Sequence, residues 1–167
     1  AWEPSTAGLT AVEVCALAVR RGPAGPEVLA ATTEGGFVSA DGGRTWRVCA
    51  GTEGTCLAAV AYGAAGTPFA VTEDGTVLSP GDDGWRFAGM VRGTATAMTA
   101  LPDGTLLIAT GDTGIWFSRD EGRSWRQADG FADVRSSYCL LAHAGRAYAG
   151  TDRGLAASDD GRAWRAI

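Results

Sequence analysis

The sequence predicts an all-β chain, a β-propeller of four blades, each about 40 residues long and built of four antiparallel strands. Three observations predict it. An octet that ends in an aromatic residue recurs at nearly constant spacing. Short apolar runs of strand-like composition fill the intervals. Gly, at 25 residues, falls in turn-like clusters between those runs rather than in one linker.

Two octets, Ser39-Ala40-Asp41-Gly42-Gly43-Arg44-Thr45-Trp46 and Ser118-Arg119-Asp120-Glu121-Gly122-Arg123-Ser124-Trp125, share the pattern Ser-x-Asp-x-Gly-x-(Ser/Thr)-Trp. A third reads Ala157-Ser158-Asp159-Asp160-Gly161-Arg162-Ala163-Trp164, with Ala157 in the place of the first Ser, Asp159 as its acid, Gly161 and Trp164. A fourth, degenerate copy runs from Pro80 to Phe87, with Asp82, Gly84 and Phe87 in the key places. In this register the aromatic residues are 41, 38 and 39 residues apart. Each octet is called a box below.

The strands follow unit by unit. The first unit offers Val14–Val19, Glu27–Thr32, Gly36–Ser39 and Thr45–Cys49. The second offers Cys56–Tyr62, Pro68–Thr72, Thr76–Leu78 and Trp85–Ala88. The third offers Ala95–Ala100, Thr105–Thr110, Gly114–Ser118 and Ser124–Gln127. The fourth offers Tyr138–Ala142, Ala147–Thr151, Gly154–Ala157 and Ala163–Ala166. Glu34-Gly35-Gly36, Asp74-Gly75, Asp103-Gly104 and Asp152-Arg153-Gly154 supply turn residues between strands. The whole of 1–167 reads as one domain, with blades at about 11–50, 51–90, 91–130 and 131–167. Residues 1–10, beginning Trp2-Glu3-Pro4, resemble the outer strand of a preceding blade. Whether four blades close alone, close by pairing of two chains, or close with another chain stays open at this point.

A box placed in the hairpin between the third and fourth strands has a structural task. Its Asp accepts backbone N–H groups of the turn, its Gly relieves a positive φ, and its aromatic ring buries apolar area. Ser39, Asp41, Gly43, Trp46, Asp82, Gly84, Phe87, Ser118, Asp120, Gly122, Trp125, Asp159, Gly161 and Trp164 are therefore read as structural.

These octets resemble the Asp-box, or bacterial neuraminidase repeat, of β-propellers found in sialidases, sorting receptors and photosystem assembly factors. The resemblance covers the chain from about Val12 to its end. It implies either a docking ring or a glycoside hydrolase. Sialidases of this kind use an Arg triad, a Tyr–Glu nucleophile pair and an Asp acid, with the first Arg in an Arg-Ile-Pro motif. This chain has no such motif, and no Tyr–Glu pairing of Tyr62, Tyr138 or Tyr148 is readable from spacing. Retaining glycosidases need two carboxylates roughly 5 Å apart, and no pair stands out. The inner runs Ala58-Ala59-Val60-Ala61 and Thr96-Ala97-Met98-Thr99-Ala100 are small and apolar, which suits a packed hub better than a polar funnel. The expectation is a non-catalytic binding or scaffold propeller, a subunit or assembly factor of a larger extracytoplasmic complex. A carbohydrate-binding module or a piece of a sialidase-like hydrolase is the alternative.

Composition narrows the partners. The net charge of −5 argues against nucleic acid, which needs clustered basic surface. All 14 basic residues are Arg, which a GC-rich bacterial genome accounts for. No apolar run is long enough to form a transmembrane helix. The chain begins with Ala1, which leaves room for a removed leader, anchor or domain upstream. A protein partner or self-association is expected, with a glycan second, and neither cofactor nor metal. Cys15, Cys49, Cys56 and Cys139 match no zinc spacing. Cys15, Cys56 and Cys139 sit in apolar runs that suggest buried thiols, and Cys49 and Cys56 flank a short turn that a disulfide could span.

Sorting loops by propeller face collects acids on the side of the strand-two to strand-three turns: Glu34, Glu73, Asp74, Asp112 and Asp152, with Glu53 and Asp133, against Arg92, Arg135 and Arg153. The first five are the candidate binding residues, for a basic partner, a cation or sugar hydroxyls. The box side carries Arg20, Arg21, Arg44, Arg123, Arg146 and Arg162; Arg44, Arg123 and Arg162 sit two before an aromatic, Arg47, Arg126 and Arg165 one after it, and these two sets are expected along the outer rim. Their stems suit apolar rim surface, and a partner-binding ladder is the other reading. His143, the one histidine, lies in a turn.

Overall fold

A computed structural model describes residues 7–10, 13–23, 25–131, 134 and 136–167. Of the outer strand expected in residues 1–10, residues 1–6 lie outside them, as do Asp133 and Arg135 of the loop face. Among the described residues, sixteen strands form four antiparallel sheets, each taking its four strands in sequence order. Blade 1 comprises β1 (Val14–Gly22), β2 (Gly25–Thr32), β3 (Gly35–Ser39) and β4 (Arg47–Val48). Blade 2 comprises β5 (Leu57–Tyr62), β6 (Pro68–Thr72), β7 (Thr76–Gly81) and β8 (Gly84–Met90). Blade 3 comprises β9 (Ala95–Ala100), β10 (Leu106–Thr110), β11 (Gly114–Ser118) and β12 (Arg126–Gln127). Blade 4 comprises β13 (Ser137–His143), β14 (Arg146–Thr151), β15 (Gly154–Ser158) and β16 (Arg165–Ala166). This is the four-bladed β-propeller architecture that the repeat predicts, and among the described residues no helix is long and apolar enough to cross a membrane.

The inner strands stand side by side, β1 on β5, β5 on β9 and β9 on β13. Each carries an irregularity at the same place, where Cys15, Ala58, Thr96 and Tyr138 interrupt the pairing with the second strand. A bulge of this kind bends the strand and increases its twist. Downstream of it, alternate residues point forward, toward the preceding blade, or backward, toward the following one. We call these the front and back of a blade.

Three apolar layers result, one per junction. Leu29, Ala31, Leu57, Val60 and Ala70 fill the layer between blades 1 and 2. Ala61, Val71, Val77, Met98 and Ile108 fill the next. Leu107, Ile115, Phe117, Ala147, Ala149 and Trp164 fill the third, where the Phe131 and Trp164 rings meet tilted at 5.5 Å. Among the described residues no fourth layer joins blade 4 to blade 1.

A tail strengthens the junctions. After its fourth strand the chain runs alongside the box of the next blade. Asp129 bridges Ala163 in parallel fashion, its N–H donating to Arg162 and its carbonyl accepting from Trp164. Ala50 accepts from Trp85 in the same way, and Ala7 from Trp46. The glycine that follows each time has a positive φ: Gly8 at 83°, Gly51 at 88° and Gly130 at 101°. A Cβ on Gly130 would sit 2.3 Å from the Trp164 carbonyl oxygen. Glycine is needed here for both reasons.

Candidate binding surfaces

The boxes are closed hydrogen-bond units. In the first, Asp41 Oδ1 accepts from the Ser39 hydroxyl at 2.7 Å and from the N–H groups of Arg44 and Thr45 at 3.0 and 2.9 Å; Oδ2 takes the Thr45 hydroxyl. Ser39 Oγ accepts from Gly43 N–H at 2.8 Å, and Trp46 Nε1 donates to the Gly43 carbonyl. The third blade repeats this with Asp120, Ser118, Ser124, Gly122 and Trp125. The donated bonds hold both carboxyls in their charged form. Chiefly the Thr45 N–H and hydroxyl push Asp41 far below the usual range, and chiefly the Ser124 hydroxyl lowers Asp120 to about 2. A carboxylate held so firmly is a poor general acid.

The last box differs from its expected register. Ser158, not Ala157, opens it, and Asp160, not Asp159, is its acid. Asp160 Oδ1 accepts from the Ser158 hydroxyl and from the N–H groups of Arg162 and Ala163, and Gly161 N–H donates to Ser158 Oγ. The turn is one residue shorter than the others, so the serine stays at the strand end and the aspartate shifts by one. The Asp160 carboxyl is lowered too, mainly by the Ala163 N–H. Asp159 instead faces solvent and pairs with Arg146 at 3.1 Å and Arg165 at 3.6 Å.

Blade 2 has no side-chain box. β7 and β8 continue their ladder to Gly81 and Gly84 across a turn of Asp82 and Asp83. Phe87 is exposed, and Trp85 fills the aromatic place: its N–H meets the tail at Ala50 and its ring packs on the layer between blades 1 and 2. With Trp85 in register, the aromatic spacings become 39, 40 and 39 residues.

The cysteines also differ from expectation. All four are free, so Cys49 and Cys56 are not bridged. Cys49 is the buried one, its thiol pushed up to about 11 by burial. Cys15 and Cys139 are exposed at or beside the irregularities of β1 and β13, and Cys56 is exposed in the turn that precedes β5.

The loop-face acids lie in successive blades rather than in one pocket, and several of them serve turns. Asp74 accepts from the Thr72 hydroxyl and from Thr76 N–H, and it borders an open depression of about 500 Å³ with Glu73, Cys56 and Leu78. Its carboxyl is lowered, first by the Thr72 hydroxyl. Asp112 accepts from Thr94 N–H at 2.9 Å and Asp152 from Ser136 N–H at 3.3 Å, so each ties a hairpin to the chain entering its blade. Glu34 contributes its backbone: its N–H donates to Thr32 and its carbonyl accepts from Gly54.

Two features escaped sequence reasoning. Thr32, Thr72, Thr110 and Thr151 end the second strand of every blade; the hydroxyls of Thr32, Thr110 and Thr151 donate to a carbonyl across the hairpin, while that of Thr72 donates to Asp74 in the turn and lies 3.2 Å from the Thr76 carbonyl. Their spacing of 40, 38 and 41 residues was the available signal. The second feature is a Tyr–Glu–Arg cluster at the first junction. Glu27 Oε1 accepts from Arg20 Nε at 2.8 Å and from the Tyr62 hydroxyl at 2.9 Å, and the Arg20 guanidinium lies 4.8 Å from the Tyr62 ring centre. Glu27 and Tyr62 are 35 residues apart, and no local pattern announces the pair. Burial first, then the bond to Glu27, raises the Tyr62 pKa well above its ordinary value. A tyrosine nucleophile needs the opposite shift, so this cluster is a clamp between blades 1 and 2.

On the box side, a groove of about 450 Å³ runs between the third and fourth boxes, with Arg119, Arg126, Gln127 and Arg162 on its walls. Arg119 donates to the Asp160 carbonyl and stacks near Phe117; Arg162 meets Asp129 at 3.2 Å. Large apolar side chains are also open at the two ends of the blade series. Leu17, Val19 and Val48 on blade 1, and Leu141, Leu155 and Ile167 on blade 4, are exposed.

No protein-family model matches the chain, and no curated protein matches it. Solved structures do. Over 96% of this chain it superposes on an ancestral GH74 enzyme with a TM-score of 0.71 and 16% identity, covering 26% of that chain. The computationally designed Ika4 protein matches over 90% of this chain and 92% of its own, with a TM-score of 0.65 and 16% identity. YCF48 bound to D1 peptide matches over 97% of this chain and 55% of its own, with a TM-score of 0.64 and 18% identity. The chain thus spans about a quarter of the enzyme and about half of YCF48. At these identities the likeness is one of fold: four blades of a β-propeller.

Proposed function

We propose that this chain is a non-catalytic propeller of the Asp-box type that works as a docking and scaffold module, a subunit or assembly factor of a larger extracytoplasmic complex. The observation that carries the reading is the exposed apolar surface at both ends of the blade series, Leu17 and Val19 on one and Leu141 and Leu155 on the other. Contiguous apolar surface of this kind marks protein association. Two further observations support it. The box carboxylates are consumed by their own turns, and the Tyr62–Glu27 pair is locked with the tyrosine protonated. YCF48, about half of whose chain this fold matches, is bound to D1 peptide, which supports a docking reading.

Assay of the purified chain on fluorogenic sialosides and glucosides, together with a glycan array, tests the reading. The expected result is no turnover and no glycan retention that depends on Asp74 and Asp112. Turnover above the buffer blank overturns it, and glycan binding lost in Asp74→Ala and Asp112→Ala moves the function to carbohydrate recognition.

A further inference from the structure

We propose that the front of blade 1 and the back of blade 4 are the two halves of one more inter-blade junction, and that a second copy of this chain supplies the missing half at each end, closing an eight-bladed ring. The inference rests on the docking reading above and names the partner.

The repeat permits a residue-by-residue comparison. Leu17 lies two residues past the irregularity in β1. The residues at that place in β5, β9 and β13 are Val60, Met98 and Leu140, and each packs into the junction in front of its blade. Val60 is 3% exposed, whereas Leu17 is 60% exposed. Val19 matches Tyr62, Ala100 and Ala142, which pack on the same three layers. The front of blade 1 is therefore a junction half without its mate.

The back of blade 4 is the complementary half. Leu155 takes the place of Val77 and Ile115, which face the following blade. Ile115 is 0% exposed and Leu155 48%. Ile167 donates its N–H to Leu155 as Ala128 does to Ile115. Ala128 is 7% exposed and Ile167 59%. Leu141 matches Ala18 and Ala61, both packed in junctions.

Three considerations select a second copy. Every junction in the structure already joins a back of this chain to a front of this chain, so continuing the same contact needs no new chemistry. One additional copy covers both open ends at once, and a head-to-tail contact that closes after two copies makes a finite ring rather than a filament. Eight blades also lie within the range of about four to eight that propellers use. The tail slot agrees: Ala7 and Gly8 already occupy the strip beside Trp46 that Asp129 and Gly130 fill beside Trp164. A blade docking there needs to deliver only its sheet face. The area is adequate. Four strands roughly 4.8 Å apart and about five residues long give a face of roughly 300 Å² in flat projection. Two contacts cover four such faces, roughly 1,200 Å², the lower end of a standard stable interface.

Light scattering after size exclusion tests the proposal on the full chain, with Leu17→Arg and Leu141→Arg as variants. The expected mass of the parent is twice the 17.1 kDa of one chain. Each variant alone drops to the monomer mass with an unchanged far-UV circular dichroism spectrum. An equimolar mixture of the two moves back toward the dimer mass as protein concentration rises, since one intact front meets one intact back. A monomeric parent overturns the proposal. So does a dimer that survives either substitution, or a mass that climbs with concentration beyond two copies. If a variant loses its folded spectrum, small-angle X-ray scattering of the parent decides: a ring shows an axial hole and a disc-like profile, and an elongated pair rejects the ring. Glycoside turnover, which would sink the scaffold reading, is a separate readout from mass.

Discussion

The hairpin that ends blade 3 and the one that ends blade 2 occupy the same place and are held in different ways. In blade 3, Ser118, Asp120 and Ser124 tie the turn through side chains, and the ladder of β12 is only two residues long. In blade 2 no such bonds form, and the β7–β8 ladder carries on to the tip. What the two share is a tryptophan beside the neighbouring blade, Trp125 in one and Trp85 in the other. The comparison separates two tasks. The aromatic wedge belongs to the junction, and the carboxylate belongs to a turn that lacks a long fourth strand.

Substitutions can break this comparison, and the wedge is where the largest effect is expected. Trp164→Ala removes a buried ring from the third layer and should cost about 3–5 kcal/mol of unfolding free energy in urea titrations. Gly130→Ala comes next. Its φ of 101° and the Trp164 carbonyl oxygen 2.3 Å from a Cβ predict a loss of about 1–3 kcal/mol. Gly145→Ala, with a positive φ but nothing within 4 Å, should lose less. Ser118→Ala leaves the Gly122 N–H and Asp120 short of a partner and should cost about 1–2 kcal/mol. In the other hairpin, Asp82→Ala and Phe87→Ala should stay within about 0.5 kcal/mol, because both act at an exposed turn. An effect at Phe87 matching that at Trp164 would restore the register in which Phe87 is the wedge.

Acid sharpens the same contrast. Asp41, Asp120 and Asp160 have carboxyls lowered in the folded chain. Their stabilising contribution is complete above the unfolded value of about 3.9 and fades as pH falls toward their folded values. For Asp120 that window runs from about 4 down to about 2. Thermal melts between pH 6 and 2 should show a shallower loss of Tm in Asp120→Asn than in the parent.

Much of this was legible because the repeat is legible. Two copies of Ser-x-Asp-x-Gly and two variants of it set the blade period, and the strand ends at Thr32, Thr72, Thr110 and Thr151 matched the structure. The misreadings share a local cause. Asp159-Asp160 and Asp82-Asp83 each offer two adjacent aspartates before a glycine, so pattern alone cannot choose between them, and hydrogen bonding chose Asp160 in one and neither in the other. The cysteines failed for a different reason: a bulge shifts which neighbours point inward, and composition does not announce it. The Tyr62–Glu27 clamp and the facing of Leu17 are products of blade-to-blade placement, which lives in no short stretch of sequence.

The three layers in series have a consequence for how the chain acquires and loses its structure. Each blade leans only on its immediate neighbours, so cooperativity is passed along one link at a time. Within a single chain, blades 2 and 3 are supported on both sides, whereas blades 1 and 4 each lean on one neighbour of the same chain and depend on the second copy for the other. Local opening therefore costs least at the two ends and most in the middle, and amide hydrogens in β6 and β10 should be the slowest to exchange with solvent. A chain organised this way can add or lose a blade at an end without rewriting the rest.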